Sequence, residues 1–117
     1  MYARFSRYRF RVEDLERYDA ASSALRATDT SETVSMLVGM EGCHGAWELQ
    51  ADTADGPGIA LFTLWATREQ AESVAERARE WIAQHFQDIG INLTAPPEAE
   101  VYPVMAWRGL HDGPERI

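Results

Sequence analysis

The sequence predicts an α+β domain with the element order β-α-β-β-α-β, and three observations carry that expectation. Residues Tyr2 to Arg11 alternate with a period of two, as a strand does, with Ala3 and Phe5 on one face and Tyr2, Ser6, Tyr8 and Phe10 on the other. Two apolar runs, Gly42 to Gln50 and Ile59 to Trp65, flank Asp55-Gly56-Pro57-Gly58, the composition of a β-hairpin with a polar turn. Directly after the second run comes Thr67-Arg68-Glu69-Gln70. The threonine hydroxyl accepts the amide three residues on and the glutamine side chain reaches back, a capping box that starts a helix.

The other elements follow in chain order. From about Glu13 the period lengthens, and Leu15, Tyr18, Ser22 and Leu25 recur at helical spacing. A polar break from Ala27 to Thr33 leads into a second short helical segment, with Asp29 as its cap, Glu32 three residues on, and Val34, Leu37 and Val38 as its apolar residues. Gly39, Gly42 and Gly45 end that segment and turn the chain into the hairpin. In the helix after Thr67, Ala71, Val74, Ala75, Ala78, Trp81, Ile82, His85, Phe86 and Ile89 share one face, and Gly90 is its stop. Asn92 to Pro97 reads as a loop. Val101 to Trp107 reads as a last strand, and Pro103, which lacks an amide proton, assigns it to a sheet edge. The whole is a ferredoxin-like order, with the first and third strands at the centre of a four-stranded antiparallel sheet and the helices on one face. The other face carries too many large apolar groups to stay wet, so a partner is expected to cover it.

At 117 residues the chain makes one domain, assigned to residues 1–107 with a C-terminal tail over 108–117. Hydrophobic residues make up 45% and charged residues 26%, as in ordinary globular proteins. No apolar run approaches the ~20 residues that span a bilayer, and Met1-Tyr2-Ala3-Arg4-Phe5 lacks a signal-peptide core, so a cytoplasmic protein without a membrane partner is expected. Cys43 is the single cysteine and forms no intrachain disulfide. A net charge of −8 argues against nucleic-acid binding, since phosphate backbones select positive surfaces. Against that surplus stand Arg4, Arg7, Arg9 and Arg11 on the first strand. They either pair with acidic groups or line a subunit interface, the commoner fate of clustered charge, or they form a local anion site.

Gly42, the strand from Cys43 to Gln50, the Asp55–Gly58 turn, the strand ending in Leu64-Trp65 and the capped helix together resemble the second half of the antibiotic-biosynthesis-monooxygenase-like family. That family is a branch of the dimeric α+β barrels, and the resemblance spans roughly residues 1 to 107. It implies that two sheets meet as a barrel in a homodimer and that each subunit holds a pocket for a small aromatic molecule. The cofactor-free oxygenases of the family bind electron-rich polycyclic phenols where the phenol's anion passes an electron to dioxygen. That chemistry asks for hydrogen-bonding groups beside the phenol, flat walls and little water.

Under that resemblance His85, Trp65 and Ser6 are the catalytic candidates, and Trp81, Tyr8 and Ala78 the ligand-binding ones. Each has a plainer reading. His85 is also placed as a core-edge histidine satisfied by a backbone carbonyl, and Trp65 and Trp81 as core. Ala71, Ala75 and Ala78 either let the helix pack close to the sheet or leave room above it. Haem-degrading relatives carry an asparagine on the first strand and a histidine on the second helix. The histidine is similar to His85, but the strand position is Ser6 and the chain's one asparagine is Asn92, so the resemblance implies no bound cofactor ahead of haem. The alternatives are a haem- or small-ligand-binding module without turnover, or a non-catalytic barrel. Cys43-His44 with His85 and Glu48 lacks metal-ligand spacing, and no metal is expected.

Overall fold

A computed structural model of the chain describes residues 1–14, 16–17, 32–53 and 56–106. Its elements are β1 (Tyr2–Arg9), α1 (Glu32–Val38), β2 (Cys43–Thr53), β3 (Gly56–Trp65), α2 (Arg68–Glu72), α3 (Val74–Ile89) and β4 (Glu98–Pro103). Residues 12–14, 16 and 17 are also helical. The sheet order is β2-β3-β1-β4 and every pairing is antiparallel, which puts β1 and β3 at the centre and the proline-bearing β4 at an edge. This is the ferredoxin-like α+β arrangement. The helical-period residues Leu15, Tyr18, Ser22 and Leu25, the cap Asp29, and Trp107 with the tail lie outside the described residues.

Four boundaries differ from expectation. In the hairpin β2 runs on to Thr53 and β3 starts at Gly56, so Gly56, Pro57 and Gly58, expected in the turn, pair with Thr53, Asp52 and Ala51. β1 ends at Arg9 rather than Arg11, because Phe10 leaves the ladder for a single bridge to Leu93. β4 begins at Glu98 and ends at Pro103, so it runs earlier than Val101 to Trp107. The helix after Thr67 is also not continuous. Its capping box is present, with the Gln70 amide donating to Thr67 Oγ1 and the Thr67 amide to Gln70 Oε1, each at 3.1 Å. The helix then breaks at Ser73. Ser73 Oγ donates to the Gln70 carbonyl (3.2 Å), Arg77 Nη2 donates to the same carbonyl (2.8 Å) and Arg77 Nε donates to Ser73 Oγ (3.0 Å). Side-chain donors thus compete with the main chain for the helical acceptor. α3 ends at Gly90, whose φ of 86° is the left-handed cap conformation glycine adopts without strain.

Strand alternation sorts the sheet into two faces. Arg4, Ser6 and Tyr8 of β1 share one face with Ile59, Leu61, Thr63 and Trp65 of β3. Phe10, Leu37, Ala71, Val74, Ala78 and Phe86 join the apolar members of that face in one core. The other face presents Phe5, Phe62 and Leu64 at its centre, with Trp47 and Leu49 on β2 and Tyr102 on β4. Trp47 is 46% exposed, Leu49 45% and Tyr102 54%. Phe62 packs edge-on to Phe5 (6.2 Å between ring centres) and tilted against Trp47 (5.5 Å). Among the described residues no helix is long and apolar enough to cross a membrane.

Candidate functional site

A pocket of about 380 Å³ lies between α3 and the β1 side of the sheet. Ala75, Arg79, Ile82, Ala83 and Phe86 of α3 form one wall. Arg4, Ser6 and Tyr8 of β1 form the other, and Leu93 and the Pro97–Ala99 stretch close the side. The volume suits a small organic molecule, and the mix of apolar walls with a few converging polar groups is that of a ligand site.

The polar end is built by Arg4. Its side chain lies on the helix-covered face and is only 7% exposed. Nε donates to Ser6 Oγ and Nη1 to the Ala71 carbonyl of α2, each at 3.0 Å. Ala71 sits in the last turn of α2, where carbonyls lose their helical partners, so the arginine also serves that helix end. Tyr8 stands two residues further along β1, its ring edge-on to Phe86 at 5.6 Å. Burial raises the pKa of the Tyr8 phenol, with the Arg4 charge pulling the other way, so the hydroxyl stays protonated at neutral pH. Burial likewise lowers the pKa of the Arg4 guanidinium from its usual value.

Solved structures share this architecture. A candidate antibiotic biosynthesis monooxygenase from Nitrosomonas europaea superposes with a TM-score of 0.61 at 18% identity, over 91% of this chain and 100% of that one. A monooxygenase from the gene ActVA-Orf6 of Streptomyces coelicolor, solved with nanaomycin D, gives 0.51 at 15% identity, over 90% and 88%. Rv0793 from Mycobacterium tuberculosis gives 0.54 at 18% identity, over 90% and 95%. The chain has the fold of the antibiotic biosynthesis monooxygenases. No protein-family sequence model matches it, and neither does any curated protein sequence.

Within this monooxygenase-type fold the sequence-predicted residues do not form one group. Ser6 and Tyr8 line the pocket. Trp65 does not: it is fully buried, its Nε1 donates to Thr63 Oγ1 at 2.7 Å, and Arg77 lies over its ring at 5.2 Å. Ala78, 1% exposed, belongs to the core between helix and sheet. Trp81 and His85 stack on each other at 4.8 Å, and His85 Nδ1 lies 3.5 Å from Glu32 Oε2 of α1. The reason is helical geometry. Val74, Ala78, Trp81 and His85 form one stripe, and Ala75, Arg79, Ile82 and Phe86 form the next, offset by one residue or about 100°. The pocket lies under the second stripe, while the first faces the core and α1.

Arg4 is the residue that sequence reasoning missed as an individual. Its signal was present in the alternation, which puts it on the same face as Ser6 and Tyr8, the face that a helix must cover. Arg7 and Arg9, on the opposite face, take the ordinary fates of strand arginines. Arg7 covers the Phe5 ring at 5.2 Å, and Arg9 lies 3.5 Å from Glu98.

Proposed function

We propose that the chain binds a small aromatic metabolite between α3 and β1 and acts as a monooxygenase without a bound cofactor. The observation that carries this reading is the apolar pocket with Arg4, Ser6 and Tyr8 converging on one wall, in a fold shared with a monooxygenase solved in complex with nanaomycin D. A phenol placed with its oxygen toward Arg4 would ionise more readily there, because the guanidinium favours the anion. Tyr8 and Ser6 supply hydroxyls beside it. The electron-rich anion transfers an electron to dioxygen, and the two radicals recombine at a ring carbon. One oxygen atom stays as a quinone carbonyl, and the other leaves as water with the single hydrogen of that carbon and the proton that the phenol gave up. Ala75, Ile82 and Phe86 keep water from the intermediates.

Haem is not part of the reading. His85, the imidazole that would ligate iron, sits on the stripe facing Glu32, and Ser6 offers no amide in the asparagine's place. The molecule is proposed to work as a homodimer joined through the sheet face bearing Trp47, Leu49 and Phe62, with no nucleic-acid or membrane partner. One observation favours binding without turnover as a second reading. Among the described residues the pocket has no imidazole, and its one carboxylate, Glu98, is turned to Arg9.

Anthrone is the probe that tests the function. Oxygen uptake matched one-to-one by anthraquinone, faster than the protein-free rate and abolished by Ala75→Trp, supports the oxygenase. Saturable binding without uptake selects the second reading. No binding by anthrone or by naphthols argues against the pocket as a ligand site.

A further inference from the structure

We infer that the ligand of this pocket is an aromatic carboxylic acid, held by Arg4 through its carboxylate. The inference rests on the ligand-binding part of the function proposed above, and gives Arg4 to a carboxylate in place of a phenol oxygen. A guanidinium has five N–H donors, and the described contacts of Arg4 use two, at Ser6 Oγ and the Ala71 carbonyl. Those contacts explain a structural role for Nε and Nη1. They leave the second Nη1 hydrogen and both hydrogens of Nη2 without a protein acceptor among the described residues, on a side chain that lines the pocket.

Charge gives the second argument. Arg9, Arg11, Arg17 and Arg68 each pair with a carboxylate, and Arg7, Arg77 and Arg79, for which no such pair is described, are all more exposed than Arg4. No carboxylate among the described residues pairs with Arg4, although it is the most deeply buried arginine described. Both of its acceptors are neutral, and the neighbouring Tyr8 phenol stays protonated. A buried cation without a counter-charge is costly, and a ligand that brings a fixed negative charge relieves that cost on binding. A carboxylate meets the need better than a phenol. It is fully ionised at neutral pH, and its two oxygens match the paired N–H groups of a guanidinium. The aromatic body then lies along Tyr8, Ile82 and Phe86. At the mouth Glu98 would repel an entering acid, but Arg9 lies 3.5 Å from its carboxylate and offsets that charge.

Calorimetric titration of the whole chain with 2-naphthoate, 2-naphthamide and 2-naphthol separates the possibilities. These probes share one aromatic body and differ in their polar group, with only the first charged at pH 7. We expect 2-naphthoate to bind about ten- to a hundredfold more tightly than the amide, the range of a charge-assisted hydrogen bond. Arg4→Gln should remove that preference while the amide still binds. Equal affinity for acid and amide, or tighter binding of 2-naphthol than of 2-naphthoate, overturns the carboxylate assignment and leaves the pocket function standing. Binding by none of the three, or binding that Ala75→Trp does not affect, overturns the pocket function and this inference with it. The acid-to-amide comparison in the unsubstituted protein decides the matter even if Arg4→Gln fails to fold.

Discussion

The main-chain amide of Asn92, just beyond α3, donates to Asp14 Oδ2 at 3.2 Å, tying that turn to the helical residues that follow β1. Two more groups converge on the same carboxylate, Arg11 at 3.4 Å and Arg17 at 3.3 Å. Arg17 also donates to the Gly90 carbonyl at 2.8 Å, so the end of α3 is held twice. The neighbouring bridge between Phe10 and Leu93 makes a third tie at this corner. The corner stands beside the pocket, because Leu93 is also a pocket residue.

Asp14 should make stability depend on acidity in a defined direction. The Asn92 amide lowers its pKa most, and Arg11 and Arg17 add to that against an opposing effect of desolvation. A group whose pKa is lower folded than unfolded contributes fully above the unfolded value, about 3.9 for aspartate, and loses that contribution as pH falls through the folded value. Urea unfolding from pH 7 to pH 2 should show Asp14→Asn less stable at neutral pH and less sensitive to acid. Curves that stay parallel across that range would show that Asp14 contributes nothing through its charge.

Gly42 and Gln70 should prove energetically coupled. Gly42 has a φ of 84°, and a Cβ placed there would collide with the Gln70 side-chain amide. That amide is the one closing the capping box on Thr67. Gly42→Ala therefore meets two costs, about 1–2 kcal/mol for a left-handed alanine and about 1 kcal/mol from the disturbed cap. In Gln70→Ala the collision is gone and the cap already lost. The double variant should therefore be more stable than the sum of the two singles implies, and strict additivity would refute the coupling.

The strand order, the helix start after Thr67 and the helix stop at Gly90 were legible, the last two because each rests on local chemistry. Thr67 with Gln70 starts a helix, Gly90 stops one, and Pro103 belongs on an edge wherever the rest of the chain goes. The break at Ser73 was not legible, since it depends on Arg77 reaching back to the Gln70 carbonyl. The site was legible only in part. Ser6 and Tyr8 follow from strand alternation. On α3, however, the apolar stripe is broader than the part that faces the pocket, and only packing decides which flank carries it. Trp81 and His85 fall on the flank that meets α1. Arg4 was passed over as an individual because a strand arginine normally pairs with an acid at the surface, although the alternation that places Ser6 and Tyr8 places Arg4 beside them.

The exposed sheet face should be an interface. Trp47, Leu49, Phe62 and Tyr102 form an apolar surface on the side away from the helices, and a stable pairing of two copies buries about 1,600 Å² or more. Sedimentation velocity at micromolar concentration should show a dimer. Trp47→Glu with Leu49→Glu should give a folded monomer, because both side chains are already about half exposed in the isolated chain. A monomer before any substitution would leave that face without its expected cover.

Ala78 and Ala75 should respond in opposite ways to the same substitution. Ala78 is closed in by the core, and three more heavy atoms there have nowhere to go, so Ala78→Leu should cost about 1–3 kcal/mol through overpacking. Ala75 is on the neighbouring stripe, exposed in the isolated chain and facing the pocket. Ala75→Leu should therefore leave the melting temperature unchanged or slightly raised while it weakens the binding of 2-naphthoate. Both positions are helical and both changes keep helix propensity close to that of alanine, so the contrast isolates the space beside each residue. If Ala78→Leu is tolerated and Ala75→Leu unfolds the protein, the cavity lies under the stripe of Trp81 and His85 instead. The grouping of those residues with Ser6 and Tyr8 would then be restored.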